Sequence, residues 1–271
     1  MFKAIGNCNN KIKNIESTNG LIWNIINYNN TITNRSLETV LGISGAVNIW
    51  EETHKIIKNM GSTNIIELGL GDYLDLTNGL PTPLNIEWNS NYENLRIIIL
   101  GFNFYKDSNG NTLNHILWGF KNLPSSRQMN TVNNNNGGYP VMPLRTHITG
   151  DYFRSLLAAL ANKDYFYPVR RLVSTKGGST IIEDKLWIPN ELEMFGNSMY
   201  GEDPTPQNRI PYYKNNSQRI KKYNGSAYVY WEATVIGTTH PGFYAVGNTG
   251  NWSWIDNCIG QLGVAPHFCQ I

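Results

Sequence analysis

The chain has 271 residues, of which 41% are hydrophobic and only 15% charged, with a formal net charge of +2. That length fits one large domain, or one domain with a small appendage, and can bury a core without staples. The near-neutral balance gives no field that argues for nucleic acid, and no run of about 18 apolar residues offers a membrane span.

Residues 1–34 are polar, rich in asparagine and weakly patterned, with Leu21-Ile22-Trp23-Asn24-Ile25-Ile26 as one short strand-like run. From Arg35 to Met60, Leu37, Leu41, Val47, Trp50, His54 and Ile57 recur close to helical spacing. Gly42 and Gly45 weaken the first half of that helix, and Gly61 supplies a stop. The segment 1–62 is too small for its own core and reads as an attachment or oligomerisation element. Residues 63–271 form the main domain. Its opening stretch, Ile65 to Leu76, reads as a strand and tight turn. Gly69 and Gly71 lack the lysine and the third glycine that a nucleotide loop needs.

Leu95–Asn103 is a buried strand, and Thr112–Phe120 returns beside it around Asn109-Gly110, a hairpin pairing. His115 falls in the returning strand as a hydrogen-bonded sheet residue. Asn133–Gly138 reads as a flexible surface loop. Thr149 is the expected N-cap of an amphipathic helix carrying Phe153, Leu156, Leu157 and Leu160 and ending near Asn162. Then come a strand over Tyr165–Val173, a turn at Lys176–Ser179, a strand over Ile181–Ile188 and a short helix over Asn190–Gly196. Residues 197–218 are loop, with Pro204, Pro206 and Pro211. The basic run Arg219-Ile220-Lys221-Lys222 reads as a solvated turn. Paired strands and separated helices without β-α-β alternation indicate an α+β fold.

The last stretch, Tyr228–Ile271, is the one the rest of the chain is expected to present. Tyr228, Tyr230 and Glu232 alternate with Val229, Trp231 and Ala233, as in a strand. Val264, Pro266 and Phe268 form a shorter apolar end. Between them lies an aperiodic segment in which His240, Phe243, Tyr244, Trp252 and Trp254 stand among small polar residues. Two readings stand: a binding surface built of rigid aromatics, or a loop whose aromatics fold back into the core. The three cysteines, Cys8, Cys258 and Cys269, are too few and too widely spaced for a disulfide framework or a zinc knuckle. Whether Cys258 and Cys269 pair is left open. The first residues lack a secretory pattern, so synthesis and folding in a cytoplasm are expected, with any exit by another route, such as inside a virion.

Lys185–Gly196, Arg219–Ala227, Tyr230-Trp231 and the closing Gly263–Cys269, with His115–Trp118, Arg145-Thr146 and Ser174–Gly178 upstream, together resemble a C-terminal domain common in phage- and prophage-encoded proteins. The resemblance covers about residues 63–271. That family is similar to C-type-lectin-fold proteins, in which strands anchor an irregular ligand-binding surface. The resemblance implies a receptor-binding or host-adhesion protein on a virion or phage-tail-like particle, with a host cell-surface protein or glycan as ligand. Contacts with other virion proteins through residues 1–62 are expected with it, and, because repeated copies of a weak site raise avidity, so is a homo-oligomer, with a trimer favoured. A virion part without a ligand of its own is the alternative. The Glu-Pro-Asn, Gln-Pro-Asp and Trp-Asn-Asp signatures of calcium-dependent lectins are absent, so neither metal nor cofactor is expected.

Some members of such families are rewritten by diversity-generating retroelements at asparagine codons. Randomised codons of that form cannot yield Trp, Glu, Gln, Lys or Met. Trp252, Trp254 and Gln261 then read as fixed scaffold. Val235, Ile236, Thr239, His240, Phe243, Tyr244 and the run Ile255-Asp256-Asn257-Cys258-Ile259-Gly260 read as open to diversification. The expected ligand-binding set is His240, Phe243, Tyr244, Trp252, Trp254, Ile255, Asp256, Asn257 and Ile259. No enzyme is expected. Glu191 with Glu193 reads as a solvated helix start, His147 with Asp151 as capping, and Cys258 with His240 lies in the suspected variable surface.

Overall fold

The apolar runs close into two five-stranded sheets, and the last residues of the chain belong to both. In the computed structural model, the described residues are 29–58, 68–76, 95–107, 109–111, 113–197, 209–237, 240–255 and 257–271, with the backbone of 15–16 and 22–23. The chain begins with β1 (Ile15–Glu16), β2 (Ile22–Trp23), β3 (Asn29–Ile32), α1 (Leu37–Leu41) and α2 (Ala46–Lys58). It continues through β4 (Gly69–Leu70), β5 (Tyr73–Asp75), β6 (Arg96–Phe102), β7 (Ile116–Phe120), β8 (Ser125–Arg127), α3 (Pro143–His147) and α4 (Phe153–Leu160). Next come β9 (Phe166–Tyr167), β10 (Val169–Thr175), β11 (Gly178–Asp184), α5 (Glu191–Phe195) and α6 (Asn216–Arg219). The end is all strand: β12 (Lys222–Tyr223), β13 (Ser226–Ala227), β14 (Tyr230–Val235), β15 (Phe243–Val246), β16 (Trp252–Ile255), β17 (Leu262–Val264) and β18 (His267–Gln270). The first sheet has the order β5-β6-β7-β18-β9 and the second β16-β15-β14-β17-β8. The chain passes from the second to the first at Ala265-Pro266. With helices packed beside largely antiparallel sheets, the architecture is α+β.

The expected hairpin of β6 and β7 forms, antiparallel, with Phe102 opposite Ile116. His115 lies just before β7. It is fully buried, and its Nε2 accepts from the N–H of Phe104 at 3.1 Å and of Tyr105 at 3.2 Å. Its Nδ1 is 2.8 Å from the carbonyl of Leu113. Burial lowers its pKa to about 4, so the ring is neutral.

The helix expected from Arg35 to Met60 is two helices. Gly42 at φ 69° and Gly45 at φ 92° take backbone conformations that end α1 and precede α2. Within the segment read as an attachment or oligomerisation element, α2 packs against the first sheet. Trp50 packs on Phe166 at 5.1 Å and on Trp118 and Phe268 at 6.0 Å. Gln270 of β18 donates to the Trp50 carbonyl at 2.7 Å and accepts from Thr53 at 3.0 Å. Full burial of such an aromatic contributes about 1.5–3 kcal/mol, so α2 is an integral layer on the first sheet. Among the described residues it shares one apolar core with that sheet. Within the strand-like run Leu21–Ile26, Ile22–Trp23 forms β2 and pairs with β1; the remaining expectations for residues 1–28 and for Gly61 lie outside the described residues, as do those for Pro204 and Pro206.

Thr149 is not an N-cap. α3 starts at Pro143 and runs through one π-helical turn, Ile148–Tyr152, into α4. Thr149 sits inside this continuous helix and bonds back to the Arg145 carbonyl at 3.0 Å. The strand expected over Tyr165–Val173 is cut by Pro168, which has no N–H to give a ladder. β9 joins β18, whereas β10 pairs with β11 around the Lys176-Gly177 turn. α5 forms as expected, with a reciprocal capping box between Asn190 and Glu193 and Gly196 in the left-handed region. The basic run is not solvated: Arg219 and Lys221 are buried. The Lys221 ammonium bonds the Phe120 carbonyl, and burial, with Lys121 nearby, pushes its pKa down to about 7.

Candidate functional site

β14 runs through the middle of the second sheet with every residue from Tyr230 to Val235 buried. Its sequence alternation therefore does not separate an inside from an outside. β15 lies between β14 and β16, and Phe243 and Tyr244 are 0% and 4% exposed. The expectation that these two residues meet a ligand is corrected, because a central strand packed on both faces buries them.

The register divides the rest of the expected set. Phe243 stands opposite Ile255 and Val246 opposite Trp252. Trp252, 39% exposed, therefore lies at one end of β16, beside the 247–251 turn. A Cβ on Gly250 of that turn would lie 2.0 Å from the Asn216 carbonyl oxygen, so only glycine fits. Ile255 lies at the other end, about 10 Å along the strand. There the 236–242 and 257–261 connections emerge, carrying His240, Asn257 and Ile259. Asp256 and Thr239, and the side chain of Trp254, lie outside the described residues.

At this second end the asparagine tract does what its composition did not announce. Asn135 is fully buried. Its amide donates to the carbonyls of His240 and Gly242, both at 2.9 Å, and of Ile236 at 3.3 Å. Asn133 Oδ1 accepts from the N–H of Cys258 at 2.9 Å, and Asn130 N–H donates to the Cys258 carbonyl at 3.0 Å. Gln128 Nε2 donates to the Ile259 carbonyl at 2.7 Å. Loop carbonyls have no ladder to satisfy them, and an amide side chain supplies the missing donors. The expected flexible loop is thus a clamp. It holds the two connections from behind, while His240, Asn257 and Ile259, with Val132 of the clamp segment, face outward. The signal that could have found it is the cluster of four consecutive asparagines closed by Gly137-Gly138.

The candidate reactive pairs resolve differently. Glu191 and Glu193 are buried, not solvated. Glu193 takes Arg171 Nε at 2.9 Å and Nη2 at 2.7 Å, and the Tyr105 hydroxyl at 2.8 Å. This closed ion pair ties α5 to β10. His147 and Asp151 are not a cap but a pair one turn apart on the continuous helix, Nδ1 to Oδ2 2.6 Å. Burial and then Arg127 hold His147 below its ordinary pKa, against the pull of Asp151. Cys258 and Cys269 are both free and buried. The Cys258 thiol donates to the Pro241 carbonyl, and burial pushes its pKa up to about 11, the opposite of an activated nucleophile. Among the described residues no group of three His, Cys, Asp or Glu is placed to hold a metal ion. No helix among them is long and apolar enough to cross a membrane.

No protein-family model, curated protein or solved structure matches this chain.

Proposed function

We propose that this protein is a receptor-binding, host-adhesion protein of a phage or phage-tail-like particle, with a C-type-lectin-like main domain. The clamped loop face around His240, Asn257 and Ile259 is its contact surface for a host cell-surface protein or glycan. The observation that supports this most is the Asn135 amide, buried and bonded to three carbonyls of the 236–242 connection. A loop backbone fixed from behind loses little conformational entropy on binding, so its outward side chains can act as preorganised contacts. Those side chains are also replaceable without touching the core. Diversification would be tolerated at His240, Asn257 and Ile259, whereas at Phe243, Tyr244 and Cys258 it would strike buried packing. A modest site repeated in a trimer gains avidity with no new contact.

The test is binding of the purified protein to intact bacterial cells across a panel of strains, beside an Asn257→Ala/Ile259→Asp variant. Strain-selective binding that is lost in the variant is expected. A folded protein that binds no strain at any valency, or a variant that binds unchanged, overturns the reading. The first of those outcomes leaves a structural part of the particle without a ligand of its own.

A further inference from the structure

β8 is the outer strand of the second sheet. Its inner side is paired, with Leu262, Gly263 and Val264 opposite Arg127, Ser126 and Ser125. The N–H of Gly263 donates to the Val229 carbonyl at 2.9 Å, so Gly263 turns toward β14. In an antiparallel ladder, the residue opposite one that faces away also faces away. The N–H and C=O of Ser126 therefore point off an edge of the sheet that no strand covers among the described residues. Pro124, just before β8, has no N–H, so Ser126 sets the register of anything that pairs there.

Along this edge lies a groove of about 470 Å³, with β8 on one side, Pro143, Leu144 and His147 on the other, and Tyr223 completing it. Two polar atoms of its lining are buried without a hydrogen-bond partner among the described residues, Ser125 Oγ and His147 Nε2, while the Arg127 side chain is engaged by the Tyr152 hydroxyl. Ser125 as a whole is 4% exposed. His147 Nδ1 is committed to Asp151, and burial holds the ring below its ordinary pKa, which favours the neutral imidazole with Nε2 as an acceptor. The Ser125 hydroxyl can be donor or acceptor. The Ser126 backbone adds one donor and one acceptor.

An anion would meet the His147 Nε2 acceptor and backbone and hydroxyl groups of both kinds here, not a ring of donors. A peptide backbone carries donors and acceptors in alternation and fits both the edge and the lining. We propose that this groove docks an extended peptide segment of a partner protein, added as one further strand along β8. The assignment does not rest on the adhesin reading, since the groove uses none of the outward residues of the loop face.

The test uses the isotope-labelled full chain and four probes: a blocked peptide acetyl-Thr-Val-Thr-Val-Thr-amide, the same peptide N-methylated at its central residue, methyl α-glucoside and inorganic phosphate. The unmodified peptide is expected to shift the amide signals of Ser126 and Arg127 saturably. N-methylation should weaken it about tenfold by removing one main-chain hydrogen bond. Ser126→Pro, at an edge position whose N–H is not in the ladder, should abolish the effect with the melting temperature little changed. Should that variant not fold, the paired peptides still decide. No saturable shift with the peptide, or equal binding of its N-methylated form, overturns the proposal. So does a stronger effect of glucoside or phosphate on the same amides, which would make the groove a polyol or anion site.

Discussion

Two regions use polar side chains in opposite ways. At the Arg171–Glu193 junction, charge is paired inside the core: both side chains are fully buried, 2.7 Å apart, and Glu193 is capped by Tyr105 and Asn190, with only Arg171 Nη1 lacking a partner among the described residues. Nothing there turns outward, and the result is one fixed joint between β10 and α5. At the Asn135 clamp, a neutral amide is buried so that other residues are not. It satisfies loop carbonyls and leaves His240, Asn257 and Ile259 in solvent. The difference teaches that burial alone does not distinguish a structural polar residue from one that serves a surface. What distinguishes them is whether the partners are side chains of the core or backbone of an exposed loop.

The largest expected effect breaks the first region. Glu193→Ala leaves the Arg171 guanidinium buried and unpaired and should cost about 3–5 kcal/mol in a urea unfolding curve. An Arg171→Met/Glu193→Leu double variant should recover much of that loss, since the penalty is the orphaned charge and not the absent pair. A double variant as unstable as the single one would show that the pair itself holds the joint. The next effect comes from His115, whose pKa falls from an ordinary 6.5 to about 4 on folding. Between those values the unfolded chain binds the proton and the folded chain does not, so stability falls as pH drops through that window. The shift corresponds to about 3 kcal/mol. His267, pushed down by burial and then by Lys221 and Arg171, adds in the same direction. Unfolding midpoints from pH 7 to 4 for the native chain and His115→Gln measure the slope, which the variant should flatten.

Much of the scaffold was legible because local chemistry decides it. The β6–β7 hairpin, the short α5 helix stopped at Gly196 and the Lys176-Gly177 turn each follow from residues near one another in sequence. What was not legible depends on partners far away. Arg219 and Lys221 read as solvated because nothing local shows the Tyr213 and Phe120 carbonyls that receive them. Phe243 and Tyr244 read as contact residues because exposure of an aromatic is set by the position of its strand in the sheet, which a single strand does not encode. Asn135 was hidden by its neighbours: a run of identical polar residues gives no period, yet only one of the four is buried. The division of the site between Trp252 and the Ile255 end follows from the β15–β16 register alone.

Smaller effects test the second region. Asn135→Ala removes the amide donor from the Ile236, His240 and Gly242 carbonyls, of which Gly242 keeps another, the Ile236 N–H at 3.2 Å, and should cost about 1–3 kcal/mol. The loss should be local: amide exchange in 236–242 and 257–261 should quicken while β6 and β7 keep their protection. A uniform loss across both sheets would make Asn135 a core residue like Glu193 and erase the contrast. The smallest stability effect belongs to the outward residues. Asn257→Ala and Ile259→Asp should each change the unfolding midpoint by no more than about 0.5 kcal/mol, as surface substitutions do, yet remove cell binding. Trp252→Ala separates the two ends of the sheet. If contact is confined to the clamped end, this variant keeps its binding, because Trp252 lies beside the 247–251 turn and not beside the clamp. Binding lost equally in Trp252→Ala and Ile259→Asp would instead mean a ligand spanning both ends of β16, and the clamp would then be only one border of a wider face.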